Sequence, residues 1–72
     1  MKVSYNKLWK LLIDKGMKKK DIRDSAGVSA NTIARMGKNE TVSMEVLMKI
    51  CDYLQCDIGD VVEFIPEENK NQ

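Results

Sequence analysis

The stretch "DIRDSAGVSANTIARM", residues 21–36, contains two short runs with helical patterning on either side of Gly27. Because glycine has no Cβ, Gly27 can adopt the positive φ that a tight turn between helices requires. Ser29 follows with a hydroxyl that can cap the next helix, and Val28 can pack against Ile33 as a hydrophobic staple. The stretch therefore predicts two helices joined by a sharp turn.

The helix after this turn, predicted over residues 30–38, has two unlike faces. At about 100° per residue, Ile33 and Met36 lie on one side and face the core together with Val28. The opposite side carries Asn31, Ala34, Arg35 and Lys38. Arginine can bind guanine through two hydrogen bonds, asparagine can bind adenine in the same way, and alanine permits close approach. The chemistry of this face fits the major groove of DNA.

Three consecutive lysines, Lys18, Lys19 and Lys20, stand at the start of the helix before the turn, which is predicted over residues 18–26. Lys18 occupies a position where Ser, Thr, Asp or Asn normally caps a helix, and lysines in a first turn oppose the helix dipole. Asp21 offsets only part of that cost. Backbone amides and lysines at a helix N-terminus suit a phosphate oxygen. Ordinary solvated surface lysines remain the alternative interpretation.

The rest of the chain predicts three further helices, which makes the expected fold an all-α bundle of about five. Residues 5–15 show an apolar stripe at the i, i+3, i+4 spacing, and Gly16 follows as a C-terminal cap. The stripe consists of Tyr5, Leu8, Trp9, Leu12 and Ile13. Because Trp9 lies on this stripe, it is expected to pack in the core rather than to stack on a nucleotide.

The fourth and fifth helices are predicted from the second half of the chain. Val42 and Ser43 repeat the valine-serine helix start, and the fourth helix buries Leu47, Ile50, Cys51 and Leu54. Asp57 can cap a short fifth helix through about Val62, before the break at Pro66. We expect one domain over residues 1–66 and a polar, frayed tail over residues 67–72.

Composition bounds the class of protein. The chain has 72 residues, of which 43% are hydrophobic and 32% charged, as expected for one soluble globular domain. No run approaches the ~18 apolar residues of a membrane span, and the N-terminus lacks a secretion signal, so we expect a cytoplasmic protein. Cys51 and Cys56 are the two cysteines and histidine is absent, which predicts reduced thiols and neither a metal site nor a cofactor. No nucleophile stands beside a base, so an enzyme has little support.

The charges are unevenly distributed along the chain. Residues 1–39 hold ten Lys or Arg against three Asp, giving +7. Residues 40–72 hold two Lys against eight acids, giving −6. Such asymmetry indicates that the first half faces a polyanion while the second half does not.

The segment "KKKDIRDSAGVSANTIARMGKNE" resembles the helix-turn-helix of the Cro and phage-repressor type regulators, the XRE family. The matching positions are Ile22, Gly27, Val28, Ser29, Ile33 and Met36. The resemblance extends through "VSMEVLMKICDYLQCDIGDVVEFIP", which looks like the fourth and fifth helices of that family. It covers roughly residues 5–66 and implies a lambda-repressor-like DNA-binding domain.

The resemblance also implies roles for individual residues. Family contacts to bases or nearby phosphates fall on Asn31, Ala34, Arg35 and Lys38, and contacts at the start of the recognition helix fall on Ser29 and Ala30. Lys19 stands where many members place a phosphate-contacting glutamine. Two positions depart from the family pattern. Arg23 replaces an alanine packed against the next helix, so its stem must extend to solvent or the helices must splay, and Lys18 replaces the usual Ser or Thr cap.

The end of the domain permits two interpretations. By resemblance, small relatives pair a segment such as "VVEFI" with an N-terminal strand, here "KVSY", and dimerise nearby, which would place Val62, Phe64 and Ile65 in a dimer interface. From the pattern alone, Val61, Val62, Phe64 and Ile65 are equally a tail that closes the core.

These observations predict a homodimer that binds a pseudo-palindromic double-stranded DNA operator and regulates transcription, most simply as a repressor, with no small-molecule ligand evident. Ala30, Asn31, Ala34 and Arg35 are the expected base-reading residues, and Lys18, Lys19, Lys20, Ser29 and Lys38 the expected phosphate contacts. The alternative is a protein-interaction module on the same scaffold, such as an antitoxin-like or phage accessory protein.

Overall fold

The computed structural model describes residues 1–67, and the residues of the expected frayed tail beyond them lie outside the described part. The chain runs through a strand β1 (Lys2–Ser4), four α-helices and a second strand β2 (Glu63–Ile65). The helices are α1 (Asn6–Asp14), α2 (Lys19–Ser25), α3 (Ala30–Gly37) and α4 (Met44–Leu54). A 3-10 turn at Ile58–Asp60 follows α4. Within residues 1–67, no helix is long and apolar enough to cross a membrane.

The two strands form a small antiparallel sheet that joins the ends of the domain. Val3 lies opposite Phe64 and Ser4 lies opposite Glu63. Ser4 is almost completely buried, and its Oγ accepts a hydrogen bond from the Asn6 amide at 3.2 Å, which satisfies a free donor at the start of α1. The strand pairing implied by the family resemblance is therefore confirmed.

The core lies where all four helices meet. Its buried side chains are Tyr5, Leu8, Leu12, Ile22, Val28, Met36, Leu47, Ile50, Leu54 and Val61. Every helix contributes at least one of them, and Val28 joins the core from the turn between α2 and α3.

The prediction that Ile13 belongs to the buried stripe of α1 is wrong, because 75% of Ile13 is exposed. At 3.6 residues per turn, Ile13 lies roughly 120° around the helix from the centre of the buried residues. Those residues, Leu8 and Leu12, form a narrower stripe than the sequence indicated. Trp9 flanks it, half-buried against the core, in agreement with its predicted packing role.

The expected fifth helix is only the 3-10 turn. Asp57 begins it as predicted, since its Oδ1 accepts from the Ile58 amide at 2.7 Å. The turn ends at Asp60, Val61 is fully buried, and the chain is extended from Glu63 onward. Glu63–Ile65 instead pairs with β1, and the aromatic Phe64 and β-branched Ile65 suit extended backbone. Within residues 1–67, the expected five helices are corrected to four α-helices and a 3-10 turn.

Cys51 and Cys56 are both half-buried free thiols. Burial raises the pKa of Cys51 to about 11, with the neighbouring Cys56, Asp57 and Asp60 acting in the same direction. Cys51 is therefore protonated at neutral pH, as expected for a thiol that packs at the edge of the core.

Candidate nucleic-acid interface

The turn between α2 and α3 has the conformation that its sequence predicts. Gly27 has a φ of +75°, in the left-handed region that favours glycine. Val28 is buried, and the Oγ of Ser29 accepts a hydrogen bond from the Thr32 amide at 3.1 Å. Ser29 is thus the N-cap of α3, and the buried valine anchors the turn. Together they set the direction in which α3 leaves α2.

The residues of α3 separate into an inner and an outer face. Met36 is fully buried, and Ile33 is half-buried against the core. The residues expected to contact bases, Ala30, Asn31, Ala34 and Arg35, are all exposed, as is Lys38 just after the helix. The outer face therefore has the small and polar surface that the sequence predicted.

A shallow groove of about 270 Å³ lies between α2 and α3. It is lined by Lys19, Lys20 and Arg23 from α2 and by Ala30, Ile33 and Ala34 from α3. The cations of one helix thus border the small side chains of the next. An arrangement of this kind can hold a phosphate oxygen while leaving α3 free to approach a base edge.

The position of the Arg23 side chain shows how the helices accommodate an arginine where the family pattern has alanine. Its side chain is half-exposed, lines the same groove, and pairs with Asp24 through an Nε–Oδ1 distance of 3.2 Å. The long aliphatic stem therefore extends to solvent, the first of the two expected accommodations.

The start of α2 has no side-chain cap from Lys18, because an ammonium group has no acceptor. Asp21 compensates by accepting a hydrogen bond from the Lys18 amide through Oδ2 at 2.8 Å. The ammonium group of Lys19 lies over the Trp9 ring, 4.3 Å from its centroid. All three lysines are exposed, and this cation–π contact restrains Lys19. The three lysines thus differ in how firmly they are held.

Arg35 makes contacts that sequence reasoning missed. Its Nε donates to Glu40 Oε1 at 3.2 Å, and its Nη2 donates to the Thr41 carbonyl at 2.9 Å. Both partners lie in the loop between α3 and α4. A signal was present in the sequence, because an arginine in the last turn of a helix stands five residues before a glutamate, beyond the helix end at Gly37.

The residues predicted for the dimer interface lie apart from these groups, on or beside β2. Phe64 is 66% exposed, while Val62 and Ile65 are half-buried. Val61 closes the core, as the tail interpretation predicts, while Phe64 faces solvent, and the dimer contact stays a prediction.

Comparison with known proteins agrees with this geometry. Residues 7–67 match the family model of the Cro/C1-type HTH DNA-binding domain. The chain is also similar to a solved crystal structure of the transcriptional regulator VanUg, form II, with 61% sequence identity and a TM-score of 0.88. That alignment covers 92% of this chain and 88% of the other. No curated protein gives a significant match. Because the family match spans most of the chain, the protein belongs to the Cro/C1-type helix-turn-helix DNA-binding domains.

Proposed function

We propose that this protein binds double-stranded DNA sequence-specifically, with α3 in the major groove, and thereby regulates transcription. The observation that carries the proposal is the groove between α2 and α3, in which Lys19, Lys20 and Arg23 border Ala30 and Ala34. The cationic side chains can bind the phosphate backbone of DNA, while the small alanine side chains beside them allow α3 to approach the base edges closely. The similarity to a transcriptional regulator supports the same interpretation.

The residues divide into two roles under this proposal. Asn31 and Arg35 contact base edges through hydrogen bonds, while Ala30 and Ala34 allow close approach and contact thymine methyl groups. Phosphates are contacted by Lys18, Lys19, Lys20, Ser29 and Lys38. The first group selects the sequence, and the second sets affinity and its dependence on salt.

The acting unit under this proposal is a homodimer on a pseudo-palindromic operator. With eight residues, α3 is roughly 12 Å long and spans only a few base pairs, so useful specificity requires two copies about 34 Å apart. Val62, Phe64 and Ile65 are the proposed contacts, and the exposed ring of Phe64 supports that choice. A dimer seated on a promoter blocks the polymerase, so repression is the simplest outcome.

A protein-interaction module is the second candidate, and one observation favours it. An apolar depression of about 300 Å³ lies along α4, lined by Met44, Leu47, Met48, Cys51, Asp57 and Ile58. Met44 and Met48 are 60% and 65% exposed, and flexible methionines suit an adaptable binding surface. This depression is on the acidic half of the chain rather than beside the lysines.

Selection of bound sequences from a random DNA pool tests the proposal. We expect recovery of one inverted repeat whose half-sites are about one helical turn apart. The affinity for that site should fall steeply with salt, because neutralised phosphates release counterions. Failure to enrich any sequence, with a salt-independent affinity for DNA, would overturn the proposal in favour of the interaction module.

A further inference from the structure

The Arg35 guanidinium is held along one edge by acceptors of its own chain. Its Nε and Nη2 donate to Glu40 Oε1 and to the Thr41 carbonyl, at 3.2 Å and 2.9 Å. A guanidinium carries five N–H donors, so these two bonds leave three donors unused. The unused donors are both N–H groups of Nη1 and one of Nη2, and the N–H of Nη2 forms a second fork with the adjacent N–H of Nη1. Loop contacts of this kind orient Arg35 without consuming its capacity to bind another planar pair of acceptors.

The loop that carries these acceptors is itself fixed to the core. Tyr5 is almost completely buried, and its hydroxyl donates to the Glu40 carbonyl at 2.6 Å. The Glu40 amide donates to the Arg35 carbonyl at 3.0 Å, which ties the loop to the end of α3. Asn39 supplies the reversal with a φ of 59° and accepts from the Tyr5 amide through Oδ1 at 3.4 Å. The Thr41 carbonyl and the backbone that carries the Glu40 side chain are therefore positioned before any ligand arrives, and the half-exposed Glu40 carboxylate reaches Arg35 from this fixed backbone.

We propose that Glu40 is a positioning residue that holds Arg35 with its free fork directed for base recognition. This inference rests on the proposed DNA-binding function and adds a specificity role for a residue outside α3. A free arginine must lose rotamer freedom when it binds a base, and an arginine already held by Glu40 loses less. Glu40 contributes to specificity through this preorganisation, without contacting DNA itself.

Removal of the Glu40 carboxylate has two effects on DNA affinity that act in opposite directions, and they can be measured separately. A carboxylate near the DNA repels phosphates, so its removal alone raises affinity for every duplex. Positioning of Arg35 concerns only the base that Arg35 contacts. The ratio of affinities for specific and scrambled duplexes separates these effects, because general repulsion cancels in that ratio.

The experiment measures that ratio for Glu40→Ala and Glu40→Gln against the wild type. We expect Glu40→Ala to lower the ratio about 5-fold, at the same base position that depends on Arg35. Glu40→Gln keeps an Oε1 acceptor for the Arg35 Nε and should retain most of the ratio. Glu45→Ala is the matched control, since it removes an exposed acid from the first turn of α4 and should leave the ratio unchanged.

The combined variant Arg35→Ala with Glu40→Ala shows whether Glu40 acts through Arg35. The ratio of the combined variant should equal that of Arg35→Ala alone, because the group being positioned is gone. An unchanged ratio in Glu40→Ala, or a further loss in the combined variant, would overturn the inference. Either result, obtained with a wild type that selects a sequence, leaves the proposed function intact. A wild type that selects none overturns both.

Discussion

The starts of α2 and α3 are built in opposite ways, although only a short turn separates the two helices. At α3, Ser29 caps the helix and Val28 is buried beside it, so each residue favours folding. At α2, Lys18 offers no cap, and Lys19 and Lys20 place positive charge against the dipole. The start of α3 therefore stabilises the helix and fixes its direction. The start of α2 is less stable, and it carries the positive charge that the proposed phosphate contacts require.

We expect the largest loss of stability from Gly27→Val, which changes the turn between α2 and α3. A β-branched residue resists a φ of +75°, so the free energy of unfolding should fall by about 2–3 kcal/mol. Thermal and urea denaturation measure the loss. The space around Gly27 is open, so strain rather than a clash is the cause. Gly59→Val, at a glycine without positive φ and also in open space, is the control and should cost clearly less.

The next effect separates base recognition by α3 from phosphate binding by α2. Arg35→Ala should lose about 1–3 kcal/mol on the preferred duplex and little on random DNA, because it removes contacts to one base. Lys19→Ala should weaken binding to both duplexes alike and lower the salt slope by about one. Titrations at several salt concentrations distinguish the two variants. Equal weakening of both duplexes by Arg35→Ala would contradict a base-reading role for that side chain.

Ser29→Ala should cost about 1 kcal/mol of stability, since it leaves the Thr32 amide without its 3.1 Å hydrogen bond. Ser43→Ala provides the matched comparison, because Ser43 caps α4 through the Val46 amide at 3.2 Å in the same way. Both losses are measured by thermal melts. A neutral Ser29→Ala beside a destabilising Ser43→Ala would show that the α3 cap does not hold the turn.

The smallest effect is expected from Lys18→Ser, which gives α2 the kind of start that α3 has. Lys18 already has the extended backbone of a capping residue, so serine can accept from the α2 amides without rearrangement. Stability should rise by about 0.5–1 kcal/mol, while affinity for all duplexes should fall because one phosphate contact is lost. Denaturation and DNA titration on the same sample check both signs. A rise in stability without any loss of DNA affinity would leave Lys18 an ordinary surface lysine.

Local features explain how much of the site could be predicted. The turn depends on Gly27 and on the cap at Ser29, and the inner face of α3 depends on the spacing of Ile33 and Met36. Each of these features involves only neighbouring residues, and the structure confirms all of them. The Arg35–Glu40 contact was missed because a helix-wheel argument treats residues beyond Gly37 as outside the helix. It depends on a loop whose path is set by Tyr5, more than thirty residues earlier in the chain.

The sequence by itself determined the two-helix turn, the exposed face of α3, the lysines before it and the charge asymmetry between the halves. These features depend on backbone propensity, capping and side-chain periodicity, which act over a few residues. Only the tertiary structure decided that Ile13 is exposed, that the segment after Asp57 makes a turn and a strand, and that Arg35 is held by its loop. The strand and the loop that holds Arg35 depend on hydrogen bonds between distant segments, which override local preference. Ile13 is exposed because the other elements cover only the narrow stripe of α1 around Leu8 and Leu12.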